Sequence, residues 1–471
     1  MKVKLKKFTE FSKTILPNEA KYLASQYKFT DNEKIEIINR LTTGAMAEKV
    51  MPSFDVDIDK RKYSYVKDWI VKKLTSIDVD KTAAWILDLK KKILLDAIAS
   101  SEEKAFLNFL TNYKTVGYNF QIVYELAQEY KPYLLIRLRY KDHEIVANFL
   151  NQFEAHYKKA KDIQQNIYNA TTEITSQYTK KETETKYWER WLLKVFKAEG
   201  VDGKNRYMAF ITLAFLYTNY NESTKLKLLF DEIDDYFSNG YMYSRRLLSN
   251  YYASRVLMHS KENELDLAEY YAYLSIRQDN NDTLMYVNNL VAILLKNKKA
   301  EEASKVIDSY YALYKESHNY HQKIGFYSYR VRVLNQLSQN KLAEDAAVTF
   351  LKQYKKEVIK HRWHHFFTSY FNVLIAQEKY AELLKIASKF DISEKEKERR
   401  SGHNYIPNIS WSISLSRFME GQINSSKLLE EIKAPMQGIK PTKSQRLILI
   451  QVIDTLSNNL PEAFLKLKSY L

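Results

Sequence analysis

The densest grouping of side chains with coordination chemistry is His361-Arg-Trp-His364-His365. On an α-helix His361 and His365 stand at i and i+4, a spacing that can chelate a metal ion. Arg362 sits inside the group, no carboxylate follows until Glu378, and the chain contains no Cys. Those neighbours favour an aromatic and histidine packing surface, one that adds positive charge below neutral pH. Asp55-x-Asp57-x-Asp59 imitates the opening of a calcium loop, yet Lys60 and Val66 stand where such a loop needs its glycine and closing glutamate. Neither pattern predicts a metal. No glycine-rich phosphate loop, G-x-S-x-G, H-E-x-x-H or dinucleotide fingerprint occurs, so no cofactor is expected. No carboxylate pair marks an acid/base couple on an apolar face, and the expectation is a chain without catalytic residues. Tyr22 to Leu41 lacks the basic recognition helix of a DNA-binding helix-turn-helix.

Recognition chemistry is better represented. Arg245, Arg246 and Arg255 come with Tyr243, Tyr251 and Tyr252, and Arg330 and Arg332 come with Tyr327 and Tyr329. A guanidinium grips carboxylate or phosphate through two parallel hydrogen bonds, while tyrosine offers a flat face and a hydroxyl at low entropic cost. The expected partner-binding set is Arg245, Arg246, Arg255, Arg330, Arg332, Tyr243, Tyr252 and Tyr329. Arg245 and Arg246 are adjacent and cannot both face one groove fully, and the i, i+2 pair Arg330 and Arg332 has the same difficulty.

These residues need helices to position them. From Asn205 to Leu471 the sequence divides into seven helix pairs, each with a leading and a trailing member. The leading helices carry Arg206, Arg245, Arg246, Arg255, Lys296, Lys323, Arg330, Arg332, Arg362, Arg417, Lys440, Lys443 and Arg446, against Asp282, Glu420 and Asp454. The trailing helices are close to neutral. Stacked pairs would line one concave wall with the leading helices, making that wall basic.

Ahead of the pairs, Pro17 opens a helix to about Tyr27, and Thr30 or Asp31 caps another over Glu33 to Thr42, ending before Gly44. Met51 to Asp59 reads as a loop, followed by helices over Arg61 to Ser76 and Lys81 to Ala99. Asp142 to about Lys180 has no Gly or Pro and a sparse apolar stripe, which predicts a long helix exposed on one side. The expected organisation is an N-terminal helical region over 1–141, a connecting helix over 142–186, and a repeat domain over 187–471.

The repeat domain resembles the tetratricopeptide family. Leu290-Val-Ala-Ile-Leu294 followed by Lys299-Ala-Glu-Glu-Ala303-Ser-Lys-Val-Ile307 carries the resemblance, with the same offsets read as Val333, Leu337, Ala346 and Phe350, and again as Tyr370, Leu374, Leu383 and Ala387. Leu265-Asp-Leu-Ala268-Glu-Tyr-Tyr-Ala272 is a further trailing helix of this type. Val291 stands where the family has a small residue, the closing proline is missing, and the spacing is longer than standard. The resemblance implies a helical solenoid that binds peptides or protein surfaces in its groove and carries over no catalytic residue.

Composition agrees with an all-α chain. Only 9 Gly and 7 Pro interrupt 471 residues, and 45% of them are hydrophobic. Tyrosine is the outlier at 37 residues, and the net charge is +16. That balance favours acidic peptides, nucleic acid or anionic surfaces as partners. The absence of Cys suits a reducing compartment, no apolar run of signal-peptide length follows the basic Met1 to Lys7, and no window is apolar enough to span a membrane. The expectation is a cytoplasmic, non-enzymatic scaffold for an acidic peptide or protein segment. RNA binding, in the manner of a ribosome-associated protein, and a sensor relaying ligand binding to the N-terminal region are the alternatives.

Overall fold

A computed structural model of the chain describes residues 5–47, 53–180, 184–400, 405–437 and 441–470. Lys440, Met51, Pro52 and 181–183, named above, lie outside the described residues, as does the side chain of Lys443. The fold is all-α, with no strand among the described residues. No described helix is long and apolar enough to cross a membrane.

Local sequence explains most helix starts. Pro17–Gln26 opens on its proline, and Asp31 caps Asn32–Met46 by accepting the amides of Glu33 and Lys34 at 3.0 and 3.4 Å. That helix runs through Gly44 rather than ending before it. Asp55 and Asp59 turn out to be turn-forming and capping residues: Asp55 accepts the Asp57 amide, and Asp59 accepts the Arg61 amide at the start of Lys60–Ile77. Val79–Leu94 ends five residues earlier than expected, because Asp96 takes the left-handed conformation.

The chain forms two compact units, Met1–Leu248 and Ser249–Leu471, divided inside helix Arg245–Lys261. In the first unit the long helix Tyr140–Lys180 is a spine and not a connector. Ser100–Thr111 and Phe120–Ile136 pack on it, and so do Trp188–Lys197 and Gly203–Asn219. Asp202 and Asn205, both buried, fix the register there: the Asn205 amide donates to Ala160 O and to Asp202 Oδ2, each at 2.8 Å. Ser223–Ser238 then packs on Pro17–Gln26, where Asn18 donates to Asp234 and Lys21 pairs with it at 2.7 Å. These contacts draw residues 187–248 into the first unit instead of the repeat domain.

In the second unit the leading helices pack in sequence: Thr283–Lys296 on Tyr320–Gln336, that helix on Trp363–Ala376, and that in turn on Asn408–Met419. Each also packs on its own trailing helix, Ala300–Ser309, Asn340–Glu357, Tyr380–Lys389 or Ser425–Lys433. Their shared core includes Leu290, Leu294, Ala303, Ile307, Ala343, Ala347, Leu374, Leu383 and the fully buried Trp411. The Trp411 indole N–H finds Ile432 O at 2.8 Å, so its burial leaves no polar group stranded.

One turn recurs throughout. Six leading helices end in a left-handed residue placed two positions beyond the last helical one: Asn221, Asn263, Lys298, Ser338, Glu378 and Gly421. In each, the next amide reaches back five residues, as Lys299 N does to Leu294 O at 2.8 Å and Lys379 N to Leu374 O at 2.9 Å. This is the Schellman arrangement, and it satisfies the last carbonyls of the helix. Asp96 and Leu138 close Val79–Leu94 and Phe120–Ile136 in the same way.

The turns also correct the repeat register. Lys298, Ser338 and Glu378 follow one another at about 40 residues, so Leu290 corresponds to Arg330 and Tyr370. Leu294, Ala303 and Ile307 correspond to Leu334, Ala343 and Ala347, then to Leu374, Leu383 and Ala387. The last set is the one read from sequence. The set Val333, Leu337, Ala346 and Phe350 is slipped by three residues. Three residues are nearly one helical turn, so a slipped pattern still finds apolar side chains.

Candidate binding surface on the leading helices

Arg245 and Arg246 belong to the first unit and are held by its carboxylates. Glu19, 1% exposed, accepts Arg245 Nε at 2.7 Å, Arg245 Nη2 at 3.1 Å, the Tyr243 hydroxyl at 2.5 Å and the Leu16 amide at 2.9 Å. Burial alone would lower the Arg245 pKa, but the Glu19 carboxylate outweighs it and the net shift is upward. Arg246 grips Asp80 with two bonds, at 2.7 and 3.0 Å. Tyr243 is buried beneath Glu19, and its pKa is raised by burial and by that carboxylate. The expectation that these three residues face a partner is therefore corrected. Their binding capacity is spent inside the unit.

In the second unit Arg255 is 6% exposed, donates to the Tyr251 hydroxyl at 3.0 Å, and lies over the Tyr271 ring at 5.6 Å. Tyr252 is 1% exposed and packs on Tyr271, which makes it a core residue rather than a contact surface. Arg255 and Tyr252 leave the expected contact set for the same reason, burial.

Arg330 and Arg332 diverge, as their spacing requires. Arg330 lies over the rings of Tyr311 and Tyr327, at 5.1 and 5.6 Å. Arg332 crosses to the next leading helix, donating through Nε to Ser369 Oγ at 2.7 Å, and lies over Tyr329 at 5.4 Å. Lys323 is 8% exposed between Tyr314 and Tyr354 and donates to Lys315 O at 3.3 Å. Lys296 donates to Ser260 Oγ at 2.8 Å. None of Lys296, Lys323, Arg330, Arg332 and Arg362 has a carboxylate within ion-pair distance among the described residues. The trailing helices differ: Glu269 holds Lys299 at 2.6 Å, and Glu344, at the equivalent position, holds Lys379. Arg417 on the fourth leading helix is also paired, with Glu431 at 2.6 Å.

The histidine group lies among these unpaired cations. The helix is not α-helical there: Val358–Arg362 is a π-turn, and Arg362 closes it at φ −153°, ψ 38°. His361 and His365 consequently part, His361 stacking on Tyr320 and His365 meeting the Tyr329 ring edge-on at 4.9 Å. The i, i+4 chelate geometry is lost. Arg362 Nη1 donates to His321 O at 3.3 Å and passes over Gly325. A Cβ at Gly325 would stand 2.4 Å from that nitrogen, so only glycine leaves the guanidinium its place against the neighbouring helix.

Burial pushes the His365 pKa well below the ordinary histidine value, with Arg332, Arg362, His364 and His321 adding repulsion. His364 falls to about 3, through burial and then Arg399. The expectation that the group adds charge just below neutral pH is corrected for His364 and His365, which stay neutral there. Burial also lowers Arg332 and Arg362, and Arg332 adds to the lowering at Arg362.

Sequence reading counted Arg362 as a basic residue but missed Gly325, Ser369 and Asn288 beside it. The available signal was an isolated glycine amid Lys323 and Arg330 in a helical stretch, a mark of close backbone approach. Comparison with protein-family models, with curated proteins and with solved structures finds no match for the chain.

Proposed function

We propose that the second unit is a non-enzymatic interaction module that binds an acidic peptide or protein segment across its leading helices. The carrying observation is the run of cations Lys296, Lys323, Arg330, Arg332 and Arg362, none facing a carboxylate among the described residues, whereas Lys299 and Lys379, at the starts of two trailing helices, are held by Glu269 and Glu344. A cation resting on a tyrosine face keeps its charge available to a ligand, and an acidic segment would replace weak cation–π contacts with charge-assisted hydrogen bonds. Sequential packing of leading helices and their common turn support a solenoid resembling the tetratricopeptide type. A cytoplasmic setting suits a chain without cysteine.

The tyrosines favour a peptide over RNA. Tyr251, Tyr252, Tyr314 and Tyr327 are buried and offer no open face on which a base could stack, while the exposed Tyr320 already stacks on His361 and the exposed Tyr273 donates its hydroxyl to Glu302. The relay reading loses its support, since the long helix packs within the first unit.

The test is fluorescence anisotropy with a labelled ten-residue glutamate peptide at about 50 mM salt. Binding should weaken at least tenfold in the double variant Arg330→Glu/Lys323→Glu with the helical circular dichroism unchanged. Equal affinity in the variant, or preference for an oligonucleotide of the same charge, defeats the proposal.

A further inference from the structure

Two guanidinium groups and an imidazole, with no carboxylate paired to them among the described residues, share one side of the Tyr320–Gln336 and Trp363–Ala376 helices. Arg332 comes from the first helix and Arg362 from the π-turn that precedes the second. His365 Nε2 is buried and has no hydrogen-bond partner among the described residues. A buried polar atom without a partner is costly, and natural structures keep few of them. The groups around it are His321, His364, Tyr329, Arg332 and Arg362, with Arg399 beyond His364. None is acidic. The carboxylate of Glu396 pairs with Arg399 at 3.8 Å. Asn288 donates its amide nitrogen to Gln322 O at 3.1 Å, and its Oδ1 accepts from neither guanidinium among the described residues.

The local backbone is built to hold this arrangement. Within the pairs, the position of Gly325 is Met285 in the preceding leading helix and His365 in the following one, so glycine there is particular to this step. It admits the Arg362 guanidinium. The π-turn adds a residue that re-aims Arg362, a device that recurs at functional sites.

We propose that Arg332, Arg362 and His365 form a site for a phosphoryl dianion, so that the acidic segment taken by the second unit is a phosphorylated one; this rests on the binding role proposed above. Two guanidinium forks supply two positive charges and paired donors for a group with charge close to −2 and three acceptor oxygens. His365 then takes up a proton, and its Nε2 becomes a third donor. A lone carboxylate would balance only one of the two fixed charges.

The experiment is isothermal titration of the full chain with four probes at pH 7: inorganic phosphate, sulfate, a glutamate-rich peptide containing one phosphoserine, and its unphosphorylated twin. The phosphopeptide should bind at least tenfold tighter than the twin. Arg332→Gln and Arg362→Gln should each remove most of that preference, while Arg330→Gln weakens both peptides equally. Sulfate carries no titratable proton at this pH, so its binding heat should vary with buffer ionisation enthalpy, and the variation should vanish in His365→Gln. Gly325→Ala serves where the charge variants fail to fold: its methyl displaces a flexible guanidinium tip, so the fold survives and the phosphate preference falls. Equal affinity for the two peptides, with no binding of phosphate or sulfate, overturns the inference and leaves the acidic-peptide reading standing. Phosphate bound without either peptide upholds the dianion site with a small phosphorylated ligand and defeats that reading instead.

Discussion

Arg245 of the first unit and Arg332 of the second were indistinguishable by residue type, yet they do opposite work. Arg245 meets a buried carboxylate that also takes a tyrosine hydroxyl and a backbone amide. Arg332 meets a serine hydroxyl and a tyrosine face, with a second guanidinium and neutral histidines in its field. The first arrangement is closed: every charge is balanced and every lone pair used. In the second, neither Arg332 nor Arg362 has a carboxylate within ion-pair distance among the described residues. An arginine with a carboxylate partner contributes to stability, while one without such a partner is the kind on which the proposed binding role rests, and the counter-charge tells them apart.

The sharpest way to break that comparison is to remove both arginines and measure unfolding. Arg245→Met leaves Glu19 buried with an uncompensated charge, and with Arg245 itself partly exposed the cost should be about 2–4 kcal/mol in urea denaturation. Arg332→Met loses one hydrogen bond and relieves repulsion, so it should change stability by less than about 1 kcal/mol. Equal losses would make the second-unit arginines structural as well.

Acid separates the two regions next. His364 and His365 have native pKa values below the unfolded value of about 6.5. Lowered imidazole pKa values mean the unfolded chain binds the protons first. The stability they contribute is therefore present above pH 6.5 and is lost as pH falls from there toward His364's value of about 3. The slope is up to about 1.4 kcal/mol per pH unit for each histidine. The groups facing them are Arg332, Arg362, Arg399 and His321, all of which resist protonation, and Asn408, whose side-chain oxygen stands 3.0 Å from His364 Nε2. Thermal melts of His364→Gln/His365→Gln at pH 5 and pH 8 should differ less than those of the native chain. A native chain equally stable at both values would show that these rings are not buried neutral.

Legibility in the sequence followed the range of the interaction. Helical periodicity, proline starts, aspartate caps and the long helix were readable because each is decided within a few residues. The carboxylate that claims Arg245 lies 226 residues earlier, and nothing local announces it. The boundary between the compact units was hidden for the same reason, since residues 187–248 join the first unit through contacts with Pro17–Gln26 and the long helix. The slipped repeat register has another cause. Of the six left-handed turns that define the register, only Gly421 is a glycine, so the usual mark of a helix end was missing at Asn221, Asn263, Lys298, Ser338 and Glu378.

Those turns supply the smallest and most local test of the comparison, because they are alike in both units and should respond alike. Ser338 adopts φ 59° with an exposed side chain. An L-residue with a Cβ pays roughly 1–2 kcal/mol for this conformation, whereas glycine enters it freely. Ser338→Gly should therefore stabilise the second unit, by about 0.5–1 kcal/mol after the extra unfolded-state entropy of glycine is subtracted. Asn221→Gly in the first unit should gain less, because asparagine already tolerates the left-handed region. Gly421→Ala, at φ 70° with open space around it, should lose about 1 kcal/mol through backbone strain alone. Urea denaturation of the three variants checks the ranking. If Ser338→Gly destabilises the chain instead, the shared turn does not set the register of these pairs, and the equivalence of Gly325 with Met285 and His365 falls with it.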